Sequence, residues 1–112
     1  MHGWGHNKST WERNIPQLST ISTTRSLDLP GFGSEPLISQ DWDLSDYANW
    51  VENFVEKKKM KNIILIGHSF GGRIASLIAS KNPSWLKAIV LEAPPSLHRT
   101  YKKMTLKIAL YK

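Results

Sequence analysis

Four apolar residues, three of them β-branched, stand in succession at Ile63-Ile64-Leu65-Ile66. The chain then passes straight through Gly67-His68-Ser69-Phe70-Gly71-Gly72 into a segment of small and apolar residues. An unbroken apolar run bounded by glycine is the pattern of a strand buried on both faces of a parallel sheet, because alternation is lost when neither face meets water. Gly67 is the expected end of that strand. From about 72 to 81, Ile74, Ala75, Leu77, Ile78 and Ala79 read as a helix, stopped by Asn82-Pro83. The Gly-x-Ser-x-Gly between them therefore stands where a strand must turn into a helix. Such a turn holds a serine hydroxyl out above the sheet on a strained backbone that only small neighbours allow, which makes Gly67 and Gly71 steric requirements. Ser69 would then sit at a helix N-terminus, where the dipole and the free N–H groups favour developing negative charge.

The rest of the chain agrees with an α/β class. Leu44, Tyr47, Ala48, Val51, Phe54 and Val55 recur at helical spacing over roughly 44 to 59, with Asp43 placed to cap the first turn. Ala88-Ile89-Val90-Leu91 repeats the buried-strand pattern, and Pro94-Pro95 breaks it. Residues 97 to 112 read as a basic amphipathic helix with Leu97, Tyr101, Met104, Leu106, Ile108 and Leu110 as its apolar points. This order of elements predicts βα units around a mostly parallel sheet. At 112 residues and 40% hydrophobic, the chain has material for one modest core.

Composition removes several function classes. Cysteine is absent, so there is neither a disulfide framework nor a thiolate metal site, and no metal is expected. Met1-His2-Gly3-Trp4-Gly5-His6 lacks the basic start and apolar stretch of a signal peptide, and no apolar run nears the length of a membrane span. The expectation is a cytoplasmic protein without membrane contact. Lys and Arg total 15 against 9 Asp and Glu, a formal charge of +6. Much of the excess lies in Lys57, Lys58, Lys59 and Lys61 and in Lys102, Lys103, Lys107 and Lys112. Lysines near a helix C-terminus complement its dipole and keep the surface solvated, and no nucleic-acid-binding motif accompanies them. No nucleic-acid partner is expected.

A second motif precedes the first. His2-Gly3-Trp4-Gly5 opens the chain, and Leu27-Asp28-Leu29-Pro30-Gly31-Phe32-Gly33 lies between it and Gly67-His68-Ser69-Phe70-Gly71-Gly72. In this order and at these distances the three resemble the α/β-hydrolase superfamily, nearest to its carboxylesterase branch, that of the pimeloyl-carrier-protein methyl ester esterases. The resemblance implies an α/β-hydrolase fold, partial here, with a core over residues 1–95 and the start of a lid over 96–112. It implies that Ser69 is the nucleophile and that the backbone N–H groups of Trp4 and Phe70 form the oxyanion hole. His2, Gly3, Gly67, His68 and Gly71 would support the elbow and the oxyanion loop, and the Trp4 and Phe70 side chains would line the substrate pocket. Asp28 would pin its turn rather than take part in catalysis. The implied substrate is a small carboxylic ester, thioester or lactone, cleaved through an acyl-enzyme without a cofactor. Serine at 69 disfavours the branches whose covalent intermediates need a carboxylate nucleophile. A peptidase or amidase of the same superfamily, or a non-catalytic remnant that keeps the core, remains an alternative.

The superfamily orders its triad as Ser, acid, His, the last two on loops after later strands. After Ser69 only Glu92 and His98 are available, six residues apart, and a histidine so soon after a strand belongs to the lid region. The acid and the histidine are therefore expected beyond residue 112, and the oligomeric state stays open. Met1 alone would represent the strand that delivers His2-Gly3, leaving the strands near Leu27 and at Ile63–Ile66 with unpaired edges. Marginal stability follows as an expectation.

Overall fold

The computed structural model describes residues 1–93. In chain order these form a 3₁₀ turn at Lys8–Trp11, α1 (Ile15–Leu18), α2 (Leu44–Lys57), β1 (Ile63–His68), α3 (Phe70–Ser80) and β2 (Leu86–Glu92). β1 and β2 pair in parallel, with Leu65 beside Ile89 and His68 beside Glu92, and α3 is the crossover between them. The expected lid segment, 96–112, lies outside the described residues.

α2 forms where its apolar spacing and its cap agree. Asp43 accepts from the Asp46 N–H while the Asp46 carboxylate accepts from the Asp43 N–H, a reciprocal pair that satisfies the first free donors of the helix. Tyr47, Ala48, Val51 and Val55 make its buried stripe, and Lys57 in the last turn complements the dipole. α3 buries Gly71, Gly72, Ile74, Ala75 and Ile78. Tyr47, Ala48 and Val51 of α2 and Ile74, Ala75 and Ile78 of α3 enter one core with Met1, Leu29 and Leu65, to which Leu44, Phe70, Leu86, Ile89 and Leu91 are packed. The lysines at 57, 58, 59 and 61 are exposed, at the opposite end of β1 from Ser69.

Three expectations change. β1 does not end at Gly67 but runs through His68, and α3 begins at Phe70, so the reversal consumes Ser69 alone. The cause is hydrogen bonding beyond the glycine: the His68 N–H donates to the Met1 carbonyl at 3.1 Å, and the Ser69 N–H to the Glu92 carbonyl at 2.9 Å. Second, the strands are not buried on both faces. Leu65 is 8% exposed, yet Ile64 is 53% and Val90 42% exposed, because among the described residues α3 packs on one face of the strands, with α2 behind it. A shallow hollow on the other side is lined by Trp11, Leu18, Ile21, Ile66 and Val90. Third, no strand forms at Leu27–Leu29 among the described residues. The Leu29 N–H, which a ladder would need, is taken by the His2 ring at 2.9 Å.

The half-covered sheet carries a consequence for stability. Purified chain is expected to melt below about 50 °C, under the usual range for a mesophile domain. A cooperative transition above that temperature, followed by circular dichroism, would contradict the expectation.

Candidate active site

Ser69 has φ +51° and ψ −114°, outside the wells that L-residues populate, which costs about 1–3 kcal/mol unless the surroundings enforce it. The surroundings do. A Cβ at position 67 would lie 2.4 Å from the Gly71 carbonyl oxygen, and one at position 71 would lie 2.5 Å from the Met1 carbonyl oxygen. Strand, helix and the start of the chain thus meet backbone to backbone, and the serine between them has no room to relax. Although Ser69 is the N-cap of α3, its hydroxyl makes no capping bond. Phe70 and Gly71 occupy the first turn, whose N–H groups have no acceptor within the helix.

The segment Met1–His6 is laid directly against this turn. Met1 lies alongside β1 without forming a strand, its nitrogen donating to the Ile66 carbonyl at 2.6 Å. Gly3 faces the serine, since a Cβ there would sit 3.3 Å from the Ser69 Cβ and 3.7 Å from its Oγ. From Gly3 the chain turns, and the His6 N–H closes the turn on the Gly3 carbonyl at 3.1 Å with Trp4 and Gly5 at its tip. His2 is wholly buried, accepts from the Leu29 N–H at Nε2 and has Nδ1 2.8 Å from the Gly3 carbonyl. Since Nε2 accepts, the ring proton sits on Nδ1 and is donated to Gly3. Asp28, less fully enclosed, accepts from the Lys8 N–H at 2.7 Å, the Ser34 N–H at 3.0 Å and the Ser34 hydroxyl at 2.9 Å.

Burial pushes the His2 ring below its ordinary pKa of 6.5. The Gly3 bond pulls it up, the Met1 ammonium down, Asp28 up and His6 down. Because the folded value is the lower one, the neutral ring contributes stability that is complete above about pH 6.5 and is lost as the pH falls below it. The melting temperature is therefore expected to drop between pH 7 and pH 5. A His2→Gln variant, which has nothing to titrate there, is expected to lose less over that interval.

An aromatic wall flanks the serine. The Trp4 ring stands edge to face against Phe70 at 5.2 Å and Phe32 at 4.9 Å, and Tyr47 meets Phe70 at 5.2 Å and Trp42 at 5.2 Å. Trp4 is 62% exposed, so the wall opens to solvent. Of these residues, sequence reasoning singled out only Trp4 and Phe70. Tyr47 was legible as a helix-face residue and Phe32 as part of a turn, but spacing along the chain does not say which loop a buried ring will meet.

The structure thus brings Ser69, Gly67, Gly71, Phe70, Gly3, Trp4 and His2 together. His68 lies on the other side of the turn, its ring 6.2 Å from that of His6 and its Nδ1 enclosed with no hydrogen-bond partner among the described residues. Glu92 is exposed and enters the site through its backbone carbonyl, while His98 lies outside the described residues. No cluster of residues able to hold a metal occurs among the described residues, and no helix among them is long and apolar enough to cross a membrane.

A strand, a one-residue strained turn carrying serine and a helix, faced by a Gly-Trp-Gly loop, define the architecture of α/β-hydrolases. The sequence model of the alpha/beta hydrolase fold family matches residues 1–110, and the chain belongs to that family. It is 33% identical over 94 residues to the pimeloyl-[acyl-carrier protein] methyl ester esterase of Pseudoalteromonas atlantica, a match covering 83% of this chain and 35% of that protein. It is also 33% identical over 98 residues to the (lyso)-N-acylphosphatidylethanolamine lipase of Bos taurus, over 84% of this chain and 29% of the lipase. Among solved structures, epoxide hydrolase CorEH superposes with a TM-score of 0.79 at 25% identity, over 97% of this chain and 39% of the other. The chain spans about a third or less of the length of such relatives.

Proposed function

We propose that this chain carries the nucleophile and the oxyanion-binding side of a serine hydrolase acting on a carboxylic ester, thioester or lactone. The observation that carries the reading is the backbone of Ser69. A conformation this costly, enforced by glycines on both sides and leaving the hydroxyl without a capping role, serves no need of the fold and presents a nucleophile. In this reading Ser69 Oγ attacks the carbonyl carbon, and the Phe70 and Trp4 N–H groups receive the oxyanion. Each such donor is worth about 3 to 4 kcal/mol in comparable sites. Collapse of that tetrahedral intermediate breaks the carbonyl carbon's bond to the alcohol or thiol, which takes up a proton, and leaves an acyl-enzyme on Ser69 Oγ that water hydrolyses to the acid and free serine. Trp4 and Phe70 line the acyl side, which favours apolar acyl groups. The acid and the histidine that complete a triad are expected outside residues 1–93. The esterase and lipase among the relatives support an ester-type substrate over an amide, and the serine favours an acyl-enzyme over the carboxylate-bound intermediates discussed above.

A fluorophosphonate tests the assignment. Because serine reacts with such a probe only when a base activates it, residues 1–112 alone are expected to stay unlabelled, whereas protein that also carries the acid and the histidine is expected to be labelled stably at Ser69 and its Ser69→Ala variant not. Equal labelling of the two would overturn it.

A further inference from the structure

Trp4, Tyr47 and Phe70 form a closed triangle of rings. Their centroids lie 5.2 Å (Trp4 to Phe70), 5.2 Å (Tyr47 to Phe70) and 6.4 Å (Trp4 to Tyr47) apart, and every pair is edge to face at 76° to 89°. Two corners belong to the segments whose backbone N–H groups are assigned above to the oxyanion. The third corner comes from neither. Tyr47 projects from α2, is 2% exposed, and is pinned twice more, by the Trp42 ring at 5.2 Å and by its hydroxyl donating to the Pro30 carbonyl at 3.4 Å. Pro30 belongs to the loop whose Phe32 packs edge to face against Trp4. Trp4, 62% exposed and at the tip of a turn, is otherwise held by Phe32 at 4.9 Å, so its orientation is set by rings from three other segments.

From this geometry we infer that Tyr47 is a positioning residue, which locks the Gly3-Trp4-Gly5 turn to the Ser69-Phe70 turn and so sets the separation of the two oxyanion donors. The inference rests on the reading of Ser69 as nucleophile. Edge-to-face contacts have a preferred geometry, so a ring at position 47 restrains both neighbours in orientation as well as in distance. An aliphatic side chain of similar bulk fills the space and restrains neither. Displacing a donor by about 1 Å costs on the order of a hundredfold in rate, whereas the core around α2 loses only a contact that Leu or Met replaces in part.

Two variants separate the ring from its bulk and its hydroxyl. In protein that also carries the acid and the histidine, Tyr47→Phe keeps the three ring contacts and is expected to be labelled by a fluorophosphonate close to the wild-type rate. Tyr47→Leu is expected to be labelled about ten to a hundred times more slowly, with Tyr47→Met made alongside in case the leucine variant does not fold. Amide NMR of the same proteins supplies a readout independent of reactivity. The Trp4 and Phe70 N–H signals are expected to shift and exchange faster with solvent in the aliphatic variant but not in Tyr47→Phe, while α3 amides beyond Ile74 hold their positions. Unchanged Trp4 and Phe70 signals in the aliphatic variant would overturn the inference, and so would equal loss of rate in the Phe and aliphatic variants. Failure of the nucleophile reading has a different signature, Ser69→Ala labelled like wild type, and leaves the amide result to decide whether Tyr47 holds the two turns together.

Discussion

Gly67→Ala is expected to leave little folded protein. The added methyl would lie 2.4 Å from the Gly71 oxygen, 2.5 Å from the Gly71 carbonyl carbon and 2.6 Å from the Gly72 nitrogen, all backbone atoms of the first turn of α3. No side-chain rotamer relieves such a contact, so the helix as a whole must move. It cannot move cheaply, because Ile74, Ala75 and Ile78 are wholly buried along its inner face, and Gly71 is itself closed against Met1. Overpacking of this kind costs about 3 kcal/mol, and more where backbone is the obstacle. For a chain whose sheet is covered on one face, that is most of its stability. Urea unfolding followed by tryptophan fluorescence measures it, and a midpoint equal to wild type would refute the argument. Gly5→Ala is the control. That position has φ +75° but nothing within 4 Å of the added carbon, so only backbone strain of about 1 kcal/mol is expected.

The second large effect is expected at Asp28. Its carboxylate collects the Lys8 N–H, the Ser34 N–H and the Ser34 hydroxyl, and so joins the end of the His2–His6 loop to the 28–34 turn. Asp28→Ala removes a charged acceptor from three part-buried hydrogen bonds, and since Lys8 and Ser34 are exposed water takes its place in part, so the expected loss is about 1.5–3 kcal/mol in all. The same carboxylate gives an acid limb to the stability profile. Burial alone would push its pKa up, but the bonds from Lys8 and Ser34, with the Lys8 charge, outweigh that and hold it below the usual carboxylate value. A depressed folded pKa contributes stability that is present above the unfolded value and lost as the pH falls through the folded one. Wild type is therefore expected to lose stability as the pH is lowered below about 4, and Asp28→Asn to show a shallower decline there. Parallel profiles for the two proteins would exclude Asp28 as the source.

The two limbs are distinguishable, since His2 acts below about pH 6.5 and Asp28 only near and below 4. Both groups brace the loop that carries Gly3 and Trp4, so acid is expected to loosen the approach to Ser69 before it unfolds the core. His2 was legible as a brace only through resemblance. Nothing in the spacing of His2 and Leu29 shows that a ring nitrogen will replace a strand neighbour as the acceptor of the Leu29 N–H.

What the sequence determined by itself is local and periodic. The apolar run at 63–66, the helical spacing from Leu44 to Val55 with its Asp43 cap, and the glycines around Ser69 each report a conformation that depends on residues a few positions apart. Those elements stand where the pattern puts them, to within two residues at their ends. What only the tertiary structure decided depends on contacts across the chain. It extended β1 through His68, because the Met1 carbonyl 67 residues away accepts from that residue. It left Ile64 and Val90 open, because burial on both faces needs a second covering layer that no strand can specify. It set Tyr47 between Trp4 and Phe70, because a helical period fixes which way a ring faces and never what it will face.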